Sequence, residues 1–168
     1  METGQPVLQD LETLAEMLVH VGLSARSDSR ADMLTAAQWT ALRFFARANK
    51  ASRTPSAFAS FQATTRGTAS QTIKALVQGG FLERRVSDTD KRSVRFEVTN
   101  RGRNMLSHDP LRHLVAALGG LSAADHASLA RALPDIASSL ATRRGDRGFG
   151  TCGDCRHFET RDGVAYCA

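Results

Sequence analysis

The 168-residue chain predicts a mainly α-helical fold with one small β-ribbon. Three observations lead there. Apolar residues recur at helical spacing through most of the first 143 positions. Residues 81–99 break that rhythm with two β-friendly runs, FLERRV and SVRFEVT, on either side of the polar turn SDTDKR, which is the pattern of a hairpin. Finally, all three cysteines are confined to residues 152–167, marking the end of the chain as a separate appendage.

The first helix is read from LQDLETLAEMLVHVGLSA, where Leu8, Leu11, Leu14, Ala15, Leu18, Val19 and Leu23 form one wide apolar stripe. The polar segment RSDSRAD follows. A second helix lies in LTAAQWTALRFFARANK, with Thr35 as N-cap and Gln38 completing a capping box; Trp39, Leu42, Phe45 and Ala46 are its expected buried stripe. SRTPSAFASFQA is a short third helix capped by Thr54, with Pro55 at the first helical position, where its missing N–H costs nothing. The fourth helix runs through TASQTIKALVQGG, buries Ala69, Ile73, Leu76 and Val77, and ends at Gly79-Gly80. After the hairpin, Pro110 kinks or restarts a helix carrying Met105, Leu106, Leu111, Leu114, Val115 and Leu118. Ser122 and Asp125 open the last helix, whose stripe is Leu129, Leu133, Ile136 and Leu140 and which Pro134 is expected to bend. RGDRGFG then links to the cysteine tail.

Composition narrows the function classes. Hydrophobic residues make up 42% and charged residues 23%, as in ordinary globular proteins. No stretch of 18 apolar residues exists, so no membrane-spanning helix is expected. The acidic N-terminus lacks the basic start of a secretion signal, so a cytoplasmic location is expected. The net charge of +5 suits a nucleic-acid partner, and its distribution says more. The first 19 residues carry only acids, whereas residues 83–103 carry seven bases against four acids. Neither a Ser-His-Asp arrangement nor a phosphate loop is present, so an enzyme is not expected.

Short helices, a longer helix and a hairpin, in that order, describe a winged helix-turn-helix. In LTAAQWTALRFF, TASQTIKALVQGGFLERR, DTDKRSVRFEVTNRG and the later LSAADHASLARALPDI, the chain resembles the MarR family of bacterial transcription regulators over about residues 8–143. Phe58-Ala59 stands where a Leu-Ala pair is usual in that family. The resemblance implies a regulator that binds a double-stranded DNA operator, a helical dimerisation region, and a small-molecule effector between the dimer helices and the reading head. It makes Arg92 the groove residue at the wing tip, Asp90 its orienting partner, and Thr99 and Gly102 the opening of the next helix. The expected organisation is an N-terminal dimerisation helix in residues 1–30, a winged helix domain in 31–100, C-terminal dimerisation helices in 101–144, and a linker and tail in 145–168.

The residues themselves support a DNA reader. At 100° per residue, Ala69, Ile73 and Leu76 fall on one side of the fourth helix, with Thr68, Gln71 and Lys74 opposite and Ser70 on the flank. Gln pairs with adenine in the major groove, and Lys reaches guanine or phosphate. No acid lies between Thr64 and Leu82, and Arg66 near the helix start suits a phosphate. Arg84, Arg85, Lys91, Arg92 and Arg95 line the hairpin, where they can follow a phosphate ridge or enter a minor groove. The unpaired apolar stripes of the N-terminal and the last two helices predict a homodimer.

The tail TCGDCRHFETRDGVAYCA supplies Cys152, Cys155, His157 and Cys167. A C-x2-C knuckle with a nearby His and one distant Cys completes a tetrahedral ligand set for Zn²⁺; the same thiolates suit an Fe–S cluster. Metal or redox state at this site would then tune operator binding. The alternatives are a dimeric interaction module that no longer reads DNA and a thiol redox protein using Cys152 and Cys155.

Overall fold

The computed structural model describes residues 8–25, 34–86, 94–145, 158–161 and 164–167. Its elements are α1 (Leu8–Ser24), α2 (Ala36–Arg47), a 3-10 turn (Lys50–Ser52), α3 (Pro55–Phe61), α4 (Arg66–Gln78), β1 (Leu82–Val86), β2 (Val94–Val98), α5 (Asn100–Leu106), α6 (Leu111–Gly119), α7 (Ala123–Arg144), β3 (Phe158–Arg161) and β4 (Val164–Cys167). The mainly helical, winged architecture expected from the sequence is present. Two compact units are distinguished: α1 groups with α6, and the remaining elements form the second unit. The segment RSDSRAD and the linker after Gly145 lie outside the described residues.

Local chemistry starts each helix of the second unit. The Thr35 hydroxyl accepts from the Gln38 amide at 3.3 Å while the Gln38 side chain accepts from the Thr35 amide at 2.7 Å, the reciprocal capping box. Asn49 caps the 3-10 turn, Thr54 caps α3 with Pro55 behind it, and Ser122 caps α7. Helix α7 continues through Pro134 to Arg144 and stops at Gly145, which adopts a left-handed φ of 67°.

The core is aromatic. Phe44 and Phe45 on α2 meet Phe58 on α3 at centroid distances of 5.5 and 5.8 Å, and Phe45 reaches Phe96 on β2 at 5.9 Å. Each such pair adds roughly 0.5–1.5 kcal/mol beyond its buried area. Phe58 is fully buried, so the Phe-Ala pair of α3 fills the centre of this cluster. Trp39 joins the core at 5% exposure, and no described residue accepts a hydrogen bond from its indole N–H. Arg43, beside it on α2, makes a bidentate pair with Asp109 at 2.6 and 2.7 Å, fastening the turn after α5 to α2.

One expected core position is corrected. Ala46 is exposed, while Ala41, Phe44 and Ala48 are buried. Helix α2 packs on α4, β2 and α5 together, so its buried arc is wider than one stripe and turns Ala46 outward. Val77 is half-buried rather than core.

Two places show backbone held by close contact. Thr99 Oγ1 donates to the Gly80 carbonyl at 2.7 Å and accepts from the Gly102 amide at 3.0 Å, so it clasps the exit of α4 to the entry of α5. A Cβ on Gly102 would stand 2.3 Å from the Phe81 carbonyl oxygen, which only glycine avoids. In the turn between α3 and α4, Ala63 takes a left-handed φ of 48°, a conformation that costs an L residue roughly 1–2 kcal/mol.

In the first unit the apolar side chains of α1 are open to solvent: Leu11, Leu14, Met17 and Val19 are 54–62% exposed. On α6, Val115 is exposed and Leu111, Leu114 and Leu118 are half-buried. In the second unit Leu133, Ile136 and Leu140 of α7 are exposed.

Candidate nucleic-acid interface

The site is built on α4. Thr65 caps the helix by accepting from the Thr68 amide at 3.2 Å, and its hydroxyl also meets that of Thr68 at 2.9 Å. Helix α4 therefore starts at Arg66, two residues before the stretch read as helical from sequence, and Arg66 is exposed in its first turn. Ala69, Ile73 and Leu76 are buried against the aromatic core and fix the helix about its axis. The opposite side presents Thr68, Ser70, Gln71 and Lys74, all exposed. The Thr68 hydroxyl is engaged with the cap, whereas no described residue bonds the Ser70, Gln71 or Lys74 side chains. The result is an acid-free polar face on a rigid helix.

A polar cleft of about 680 Å³ opens between α3 and α4, lined by Ser56, Ser60, Thr64, Thr65 and Arg66. Hydroxyls and one guanidinium beside a helix start are suited to phosphate oxygens. Ser56, Ser60 and Thr65 were not singled out from sequence. The Thr-x-x-Thr spacing of Thr65 and Thr68 is the signal that marks the cap.

The wing base is an antiparallel ladder with Leu82 opposite Val98, Arg84 opposite Phe96 and Arg85 opposite Arg95. A bond from the Phe96 amide to the Arg53 carbonyl at 3.0 Å lays the α2–α3 connection beside β2. Alternation along the strand puts Arg84 on the face of Leu82 and Arg85 on the other, with Glu83. Arg84 and Arg85, though adjacent, thus serve opposite sides of the ribbon. On the outer face, Arg85 is bonded to Glu83 at 2.7 Å and Arg53 stands 3.9 Å from Glu97. The hydrogen bond from Arg85 to Glu83, and then the charge of Glu83, raise the pKa of the Arg85 guanidinium above its ordinary value. Asp90, Lys91 and Arg92 lie outside the described residues, as do Cys152, Cys155 and His157. Of the expected metal ligands only Cys167 falls within a described strand, at the end of β4, and the β3–β4 hairpin itself was not foreseen.

Residues 34–93 match the MarR family model. The match spans α2 to β1 and reaches the wing, and no curated protein sequence matches the chain. Among solved structures, a MarR family protein from Bacillus stearothermophilus is similar with a TM-score of 0.64 at 14% identity, covering 83% of this chain and 99% of that one. Streptococcus pneumoniae FabT in complex with DNA gives a TM-score of 0.55 at 20% identity over 79% of this chain and 93% of that one. Staphylococcus aureus MepR bound to ethidium bromide gives 0.51 at 20% identity over 77% and 95%. The fold is that of the MarR-type winged helix regulators. Among the described residues no helix is long and apolar enough to cross a membrane.

Proposed function

We propose that the chain is a homodimeric transcription regulator that binds a double-stranded DNA operator and represses by occupying it. The observation that carries this reading is the acid-free face of α4, where Ser70, Gln71 and Lys74 stand exposed on a helix whose other side is locked in the core. Gln71 reads a base edge and Lys74 a guanine or a phosphate. Arg66 and the hydroxyls of the α3–α4 cleft position the backbone, and Arg84, with Lys91 and Arg92 at the wing tip, reaches the neighbouring groove or its phosphates.

The dimer is supported by the solvent-exposed stripes of α1 and α7, which a second copy would cover. Two reading heads would then address half-sites about one DNA turn apart, ~34 Å. A small-molecule effector is part of the proposal by analogy with the ethidium-bound MepR structure.

Selection of bound genomic fragments by the full-length protein, followed by footprinting and light scattering, tests the reading. A protected, two-fold symmetric site and a dimer mass are expected. Failure to retain any fragment over random competitor DNA at low salt would end the DNA-binding proposal, and a monomer at micromolar concentration would end the dimer.

A further inference from the structure

Alternation divides the chemistry of the wing ribbon unevenly between its two faces. One face carries Glu83, Arg85, Arg95 and Glu97, and so holds both carboxylates of β1 and β2. The other carries the cross-strand pairs Leu82–Val98, Arg84–Phe96 and Val86–Val94, with no acid among them. Along this second face burial fades outward. Leu82, Phe96 and Val98 are core, Val94 packs against the core half-buried, and Val86 is 54% exposed. An apolar line thus leaves the core and runs into solvent beside the exposed Arg84, which no described carboxylate engages. Among the described strands β1 pairs with β2 alone, so it is an edge. Edge strands usually carry charge at such positions, and an exposed valine there departs from that pattern.

We propose that Val86 is a further DNA-contacting residue, its methyl groups seated on a deoxyribose while Arg84, two residues back on the same face, meets an adjoining phosphate. The inference rests on the operator-binding reading above. A nucleic-acid backbone offers what this face would meet, anionic oxygens beside apolar sugar carbons. The face also repeats the acid-free character of the exposed side of α4. A second copy of the chain suits it less, because covering the valine would take Arg84 out of water as an unpaired charge. Contact with a sugar releases no counterion and reads no base. It adds affinity that salt does not erode and that is equal on all sequences.

Anisotropy titrations of the full-length protein, on a labelled duplex of the selected genomic fragment and on random duplex, test this across salt concentrations. Val86→Ala should weaken binding about three- to tenfold on both duplexes, as expected for one to two lost methyl contacts. The slope of log K against log salt should not change. Arg84→Gln should instead lower that slope by roughly 0.9. Val86→Ile should bind like the native protein, and all three variants should melt like it by circular dichroism. If the native protein binds the fragment and Val86→Ala binds it equally well, this contact is overturned and the operator reading stands. A loss confined to one base pair would move Val86 into a groove. A loss accompanied by a smaller mass in light scattering would give the valine to the dimer. Either result overturns the proposal. If the native protein retains no fragment, the operator reading fails and this inference with it.

Discussion

Arg85 turns back along its own strand onto Glu83, with its terminal nitrogen 2.7 Å from the carboxylate oxygen. The wing thus carries a base that is already engaged on the face away from Arg84. Glu83→Gln removes the charge and keeps the side-chain length. The expected outcome is tighter binding to non-specific DNA and a salt dependence steeper by about one phosphate contact, roughly 0.9 in the slope of log K against log salt. Fluorescence anisotropy titrations across salt concentrations measure it. An unchanged slope would place Arg85 away from the DNA backbone.

Gly102 is set by contact, because the Phe81 carbonyl oxygen occupies the place of its Cβ. Gly102→Ala forces main chain apart at the junction of α4, β2 and α5, and a loss of about 2–3 kcal/mol is expected. Denaturant unfolding gives the value. A loss under 0.5 kcal/mol would mean that the junction yields easily.

Ala63 holds a left-handed conformation in the turn between α3 and α4. Ala63→Gly removes the Cβ conflict but gives the unfolded chain more freedom, so the two effects partly cancel. A net gain of about 0.5–1 kcal/mol is expected, seen as a higher Tm. A lower Tm would show that the conformation carries little strain.

Gln71 and Lys74 are one turn apart on the exposed face of α4, and they predict different losses. Gln71→Ala should cost about 1–3 kcal/mol on the best operator and relax preference at one base pair. Lys74→Ala, if it contacts phosphate, should weaken binding evenly across sequences. A base-by-base binding profile for each variant separates the two, and an even loss for Gln71→Ala would move that residue to the backbone.

The winged helix was legible in the sequence because its punctuation is local. Thr35 with Gln38, Thr54 with Pro55, and Ser122 each act within one helical turn, and the structure uses all of them. The clasp of Thr99 on Gly80 joins residues 19 apart, and the clash that requires Gly102 comes from Phe81; neither is a matter of periodicity. Ala46 shows the same limit, since a helix packed on several partners buries more than one stripe. Residue types marked the polar face of α4, but not that Arg85 is engaged by Glu83 or that Arg84 serves the other face of the wing. The strands β3 and β4 escaped notice because each has only four residues and FETR is half charged, too short to show alternation.

Trp39 has a practical consequence. It is the chain's single tryptophan, and it sits in the core of the winged helix at 5% exposure, close to Arg43. Indole emission shifts to longer wavelength when water reaches the ring. The intrinsic fluorescence of the unlabelled protein is therefore an optical gauge of one region alone. If the proposed dimer forms, the emission should stay blue when it is diluted apart, and redden only when the Phe45–Phe58 cluster opens. Recorded alongside circular dichroism, it separates dissociation from unfolding without a dye.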